Sequence, residues 1–323
     1  MHVESGKNLH TDIIIFDKAK LMNGVLYLAV VLIWGTTWIA ITAQHGLFSP
    51  IIAVFWRFVI AAGLLFLFLL CTGRLKKLDI QDHLFCVLQG LCIFGFNFIC
   101  FYTAIEYINS GLESVIFSMA VLFNAINSRI FFSQKISAYF LPAASLGFFG
   151  ILALFWHDVI STKAQWQTLF AIGLCMLGTY GFSLGNMISI HHQKKNLDVF
   201  TTNAYGMLYG AILMGIIGLV RADTFLPKII TIQALFALGY LAVVGSIIGF
   251  GVYFVLIKRI GAGQAAYSTL LFPLVALTIS TIWENYQWHL SSYLGVIFIL
   301  LGNYILFKQP QWLRQFLHKS KVA

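Results

Sequence analysis

The sequence predicts an all-α polytopic membrane protein, with ten transmembrane helices arranged as two inverted five-helix repeats. Three observations carry the prediction. Of 323 residues, 60% are hydrophobic and only 10% are charged, against about 25% charged in a soluble domain. Apolar windows of about twenty residues, enough to cross a bilayer as a helix, recur from residue 24 to residue 307. Lys and Arg collect on alternate sides of those windows, as membrane topology demands.

In order along the chain, residues 1–21 read as a short cytosolic tail. Their apolar stretch, Ile13 to Phe16, is too short for a secretory signal and is flanked by Asp12 and Asp17. The spans follow at 24–43, 51–71, 84–104, 111–132 and 138–156, then at 168–190, 199–220, 232–257, 264–283 and 291–307. A first repeat therefore occupies 22–157, a second 166–307, and a basic cytosolic tail 308–323. Sixteen Lys and Arg, from Lys7 to Lys321, fall on one side of these spans. Only Lys163, Arg221 and Lys228 fall on the other, and Arg57 lies within a span. This bias puts both termini in the cytosol. Glu106, Glu113, Asp158, Asp223 and Glu284 all lie at outer ends.

The formal charge of +9 follows from this loop bias, and nucleic acid is not an expected partner; lipid is. The five cysteines form no C-x-x-C pair, so neither a disulfide framework nor a zinc site is indicated. No metal or cofactor is expected. "GFSLG" (181–185) has the nucleophile pattern G-x-S-x-G, but that chemistry needs a strand-to-helix turn with an acid and a histidine nearby. Mid-span in a helix, it argues for no enzyme. The small-residue pairs Gly181/Gly185, Gly206/Gly210 and Gly245/Gly249 permit close helix approach or hinging.

The halves share a layout. Residues 102–136 and 253–286 each run from the end of one span through a Gly-bearing turn into a small-residue-rich span that closes on a polar residue. Gly111 matches Gly263 at an offset of 152, and "WGTTW" (34–38) matches "YGFSL" (180–184) at 146. With five spans per half, the two halves face opposite ways. Inverted repeats of this kind mark secondary transporters, with the substrate site near the midplane at the repeat interface.

The stretches "LIWGTTWIAI", "FWRFVIAAGLLF", "YTAIEYINSGLESVIFS", "LGFFGILAL", "GAGQAAYSTLLFPLVALTISTIWEN" and "YLGVIFILLGNYIL" resemble the drug/metabolite transporter superfamily, EamA type, over about residues 24–307. The resemblance implies a ten-span transporter of the bacterial inner membrane, with a central cavity built mainly from spans 1, 3, 4, 6, 8 and 9. It also includes an Arg-Phe pair at Arg57. Val121 stands where the resemblance calls for a proline that the second repeat has as Pro273, and Gln134 replaces an acidic residue closing span 4.

Between their interfacial ends the spans hold no Asp, Glu, Lys or His, and Arg57 is the only charge well inside. Phosphorylated substrates call for buried basic residues on several spans, so a neutral or zwitterionic substrate is favoured, bound by aromatic faces and uncharged polar groups. The candidate cavity residues are Trp34, Thr37 and Trp38 on one face of span 1, with Asn97, Ser118, Asn124, Tyr180, Ser183, Asn186, Ser246, Tyr267 and Ser268. Each Ser or Thr has the alternative of bonding its own helix or packing against a neighbour.

Arg57 attaches roughly 10 Å into a slab of about 30 Å, where an arginine costs on the order of 2.5–3.5 kcal/mol. It has three readings: snorkelling to the outer headgroups, pairing with Glu113, Glu106 or backbone carbonyls, or facing the cavity as a substrate contact or gate. Pairing with Glu113 is the expected one. The function expected is export of a small neutral or zwitterionic metabolite, such as an amino acid or related amphipathic compound, by alternating access. The alternatives are a phosphometabolite or nucleotide-sugar antiporter, and a membrane-embedded enzyme or scaffold. Oligomeric state leaves no trace in the sequence.

Overall fold

The computed structural model describes residues 5–157, 165–226, 231–261, 265 and 268–310. The regular secondary structure of the described residues is all helical, joined by turns and irregular segments, with no strand among them. They group into α1 (Ser5–Thr42), α2 (Pro50–Cys71), α3 (Ile80–Ala104), α4 (Ser110–Phe132), α5 (Phe140–Leu154), α6 (Gln165–Lys194), α7 (Val199–Val220), α8 (Ile232–Ile260), α9 (Ser268–Trp283) and α10 (Leu290–Lys308). Seven of these are long and apolar enough to cross a membrane: α1 over Leu21–Thr42, α2, α3, α4, α6 over Trp166–Lys194, α7 and α8. Three apolar helices are shorter, α5, α9 and the Leu290–Ile305 part of α10. Seven spans, not ten, therefore meet the length criterion. Helix α1 also begins at Ser5, within the stretch expected as a tail.

Local chemistry sets several boundaries. Ser49 caps α2 by accepting from the Ile52 amide at 3.4 Å, and Pro50 follows where its missing N–H costs nothing. Gly73, at φ +63°, ends the same helix while the Arg74 amide turns back to the Leu69 carbonyl. Asp198 caps α7 through the Thr201 amide, and Thr231 caps α8 through that of Ala234.

Four central helices are irregular. Wide π turns occupy Gly90–Phe96 in α3 and Leu241–Ile248 in α8; such segments re-aim side chains and recur at functional sites. Helix α4 breaks at Ser118 and Met119, whose amides bond to carbonyls three residues back, and α9 carries Pro273 in its interior.

The main packing pairs are α2 with α7, α5 with α10, α4 with α9, α1 with α9, α4 with α6, α1 with α8, α3 with α6, α3 with α7, and α2 with α8. Each pairing maps onto itself or onto another when five is added to or subtracted from its helix numbers. The glycine pairs pack: a Cβ on Gly185 would sit 2.7 Å from Ile93, and one on Gly210 2.9 Å from Phe94. Backbones also approach closely between α5 and α10, where a Cβ on Gly295 would meet the Leu154 backbone nitrogen at 2.5 Å, and between α3 and α7, where one on Gly90 would meet the Gly206 carbonyl at 2.5 Å. Outward faces carry large apolar side chains such as Leu67, Phe148, Leu219 and Ile297. Together these features describe a multi-pass membrane protein.

Candidate functional site: an aromatic cavity beside Arg57

At the centre of the bundle lies a small cavity, with about 40 Å³ open to the centres of water molecules. Helix α1 lines it with Trp34, Thr37, Trp38 and Ile41, α2 with Arg57, and α3 with Asn97, Phe98 and Phe101. Phe117 of α4, Phe182 of α6, Phe250 of α8 and Phe272 of α9 complete the wall. Such a volume holds a few waters. A metabolite enters only if rings or helices move.

The rings brace one another edge to face. Trp34 lies 5.1 Å from Phe250 and 5.8 Å from Phe182, and Trp38 lies 5.1 Å from Phe101 and 5.9 Å from Phe117. Trp34 donates its Nε1–H to the Gly245 carbonyl at 3.3 Å. The Trp38 Nε1–H is buried with no hydrogen-bond partner. A buried donor left unmade is costly, so this one is available to a ligand or a water.

Arg57 is 2% exposed. Its Nε donates to Ser246 Oγ at 2.9 Å, and Ser246 in turn donates to the Leu241 carbonyl at 2.9 Å. Its Nη1 reaches the Tyr102 hydroxyl at 3.5 Å, and Tyr102 donates to Gln44 Oε1 at 3.2 Å. The guanidinium carbon sits 4.2 Å from the centroid of the Phe98 ring, a geometry that favours a cation. Two of the five N–H donors of a guanidinium are thereby engaged. Gly245 makes room for this arrangement, since a Cβ there would lie 2.9 Å from Thr37 Cγ2 and 3.3 Å from Arg57 Nη2.

The expected pair of Arg57 with Glu113 does not form. Neither Glu113 nor Glu106 is among the ion pairs of the described residues, and both oxygens of the fully buried Glu113 lack a hydrogen-bond partner. Depth and charge suggested that match. What decides is azimuth: Arg57 points at the π turn of α8, where a neutral hydroxyl meets it.

The other candidates divide. Trp34, Thr37, Trp38 and Asn97 line the cavity, although Thr37 bonds the Trp34 carbonyl and Asn97 the Gly178 carbonyl. Ser246 stands behind Arg57 rather than on the wall. Asn124, Ser183 and Asn186 lie outside the lining, in a network joining α4, α6 and α8. Ser183 donates to Asn124 Oδ1 at 2.7 Å, and Asn186 Nδ2 reaches both Asn124 and the Tyr253 hydroxyl at 3.3 Å. Ser118 and Ser268 bond the Val115 and Ala265 carbonyls of their own chain stretch. Tyr180 is 36% exposed and packs against Phe123 away from the cavity. Tyr267 lies outside the described residues. The six phenylalanines of the wall went unforeseen, because among 30 Phe residues none carries a polar signal. Tyr102 and Gln44, which continue the Arg57 chain outward, were also missed.

Comparison with known proteins fits this architecture. Residues 22–156 and 169–308 each match the EamA-like transporter family. The chain belongs to that family, within the drug/metabolite transporter superfamily. Among its relatives, the "Uncharacterized transporter YoaV" of Bacillus subtilis is 25% identical over 286 residues, covering 88% of this chain and 95% of that protein. "Protein PagO" of Salmonella typhimurium is 24% identical, covering 88% and 93%. A protein of Escherichia coli named "Probable amino-acid metabolite efflux pump" is 24% identical, covering 88% and 94%. One crystal structure superposes with a TM-score of 0.65 at 12% identity, covering 90% of this chain and 98% of its own. That likeness speaks for the fold alone.

Proposed function

We propose that this transporter exports a small neutral or zwitterionic metabolite, an amino acid or related amphipathic compound, by alternating access around the Trp38–Arg57 cavity. The observation that carries the proposal is the cavity's composition. Its wall is aromatic on most sides, and its one formal charge is a guanidinium held by neutral groups, with donors to spare. An apolar amino-acid side chain suits the rings, and its carboxylate suits Arg57 and the free Trp38 N–H. A phosphorylated substrate needs more cationic groups than this wall supplies. The naming of one relative as a probable amino-acid metabolite efflux pump supports the substrate class.

The ten-span reading with two inverted repeats belongs to the same proposal. The short helices α5, α9 and α10 would complete the count as further spans. The exchange symmetry of the helix pairings and the matching π turns of α3 and α8 support it. With ten spans the basic-residue bias would put both termini in the cytosol, and the naming of one Escherichia coli relative as an uncharacterized inner membrane transporter supports that location. The cavity is too tight for a metabolite as seen, which fits a contracted state between loading and release.

Counterflow in proteoliposomes tests the proposal, using a panel of radiolabelled amino acids, amines and phosphorylated sugars. Exchange of neutral or zwitterionic compounds is expected. Flux of phosphorylated sugars alone, or of nothing, refutes it.

A further inference from the structure

Glu113 is the one carboxyl in the described interior with both oxygens fully buried and unpartnered. It occupies the first turn of α4. Among the described residues, the elements around it offer no cation. The segment closing α9 brings Glu284, close enough for two charged carboxylates to repel, and α6 brings the Cys175 thiol. Helix α1, also packed on this half of α4, contributes Trp38 and Thr42, neither of which ionises.

Glu284 is differently placed. It is half-buried at the outer end and accepts from the Ser110 amide at 3.2 Å, Ser110 Oγ at 2.7 Å and Thr42 Oγ1 at 3.0 Å, as well as from Ser280. One carboxylate thus ties the outer ends of α1, α4 and α9, and it faces the orphaned helix N-terminus of α4, where negative charge is favoured. Glu113 lies directly inside this clasp. One turn further in on the same face of α4 stands Phe117, a wall residue of the cavity. Glu113 therefore sits between the outer clasp and the cavity.

We propose that Glu113 is a proton-binding site and that its proton is the coupling ion for transport, a claim that rests on the transporter reading above. A buried carboxylate with no donor beside it is far costlier than the neutral acid. Glu113 can release its proton only when water or donors reach it. When the clasp of Glu284 parts, water arrives from outside; when the cavity opens inward, it arrives past Phe117. Opened outward, the carboxylate takes a proton from water and crosses as the neutral acid; opened inward, the O–H bond breaks, the proton passes to that water, and the carboxylate returns only with an N–H donor of the bound substrate beside it.

Two measurements test this. The first needs no substrate: infrared difference spectra of the full-length protein in nanodiscs, recorded across a pH series. A protonated-carboxyl C=O band that rises and falls with pH, is absent in Glu113→Gln and persists in Glu106→Gln is expected. No such band, or one unchanged by Glu113→Gln, overturns the proposal; should Glu113→Gln fail to fold, a shift of that band in Glu113→Asp replaces it. The second uses whichever compound of the amino-acid and amine panel the wild type exchanges fastest. A one-unit pH gradient drives about tenfold accumulation of a neutral molecule exchanged for one proton. Glu113→Gln should lose that accumulation and keep gradient-free counterflow. Undiminished accumulation refutes the proton site alone, whereas absence of wild-type counterflow refutes the transporter reading and leaves the infrared result to decide the site.

Discussion

The contact between Arg57 and Ser246 can be weighed by a double-mutant cycle. Ser246→Ala removes the acceptor 2.9 Å from Arg57 Nε, and Arg57→Gln removes the charge. At 2% exposure, water has little access to replace the lost partner. A hydrogen bond to a charged group is worth about 1.5–3 kcal/mol, and the cycle should return a coupling of that size. The assay is equilibrium unfolding in mixed micelles, followed by tryptophan fluorescence, for the wild type, both single variants and the double variant. A parallel cycle with Arg57→Gln and Glu113→Gln provides the contrast and should be additive to within about 0.5 kcal/mol. Coupling below about 0.5 kcal/mol for Arg57 and Ser246, or clear coupling of Arg57 to Glu113, refutes the geometry described here.

Other substitutions separate cavity from scaffold. Trp38→Phe keeps a ring against Phe101 and Phe117 but removes the unpartnered N–H; folding should be normal, with the half-saturating concentration in counterflow raised about five- to tenfold. Asn124→Ala strips an acceptor from Ser183 and Asn186, and should lower unfolding stability by about 1–3 kcal/mol while leaving the ranking of transported compounds unchanged. Tyr180→Ala alters an outward side chain, and counterflow should match that of the wild type once expression is equalised; a large change in substrate ranking would return Tyr180 to the site.

How far the sequence could be read follows from what each signal encodes. Apolar length and Lys/Arg bias are properties of whole segments, so the all-helical membrane class and the family emerged from composition and layout, while the short α5, α9 and α10 fell below the length of a full span. Azimuth is set by packing, and that decided the fate of individual residues. Trp34, Thr37 and Trp38 share a helical face, and that face meets the cavity. Tyr180, aligned with Trp34 by the repeat offset, turns away because Phe182 faces inward in its place. Asn124 and Asn186 looked like ligand groups by polarity, but polar side chains on facing helices satisfy one another first. The wall of phenylalanines was illegible because apolar side chains that line a cavity and those that fill a core have the same chemistry. The error at Arg57 has the same root. Formal charges suggested an ion pair, whereas a π turn, whose hydrogen-bond pattern leaves no periodic trace, presents the hydroxyl of Ser246.

The most direct trial of the cavity's role is photo-crosslinking of the purified protein with a diazirine-bearing leucine analogue, followed by peptide mapping. The account predicts adducts on the α1 stretch from Trp34 to Ile41 and around Phe272 of α9, suppressed by excess of a transported amino acid. Labelling confined to outward positions such as Tyr180, or cavity labelling that no transported compound suppresses, would contradict it.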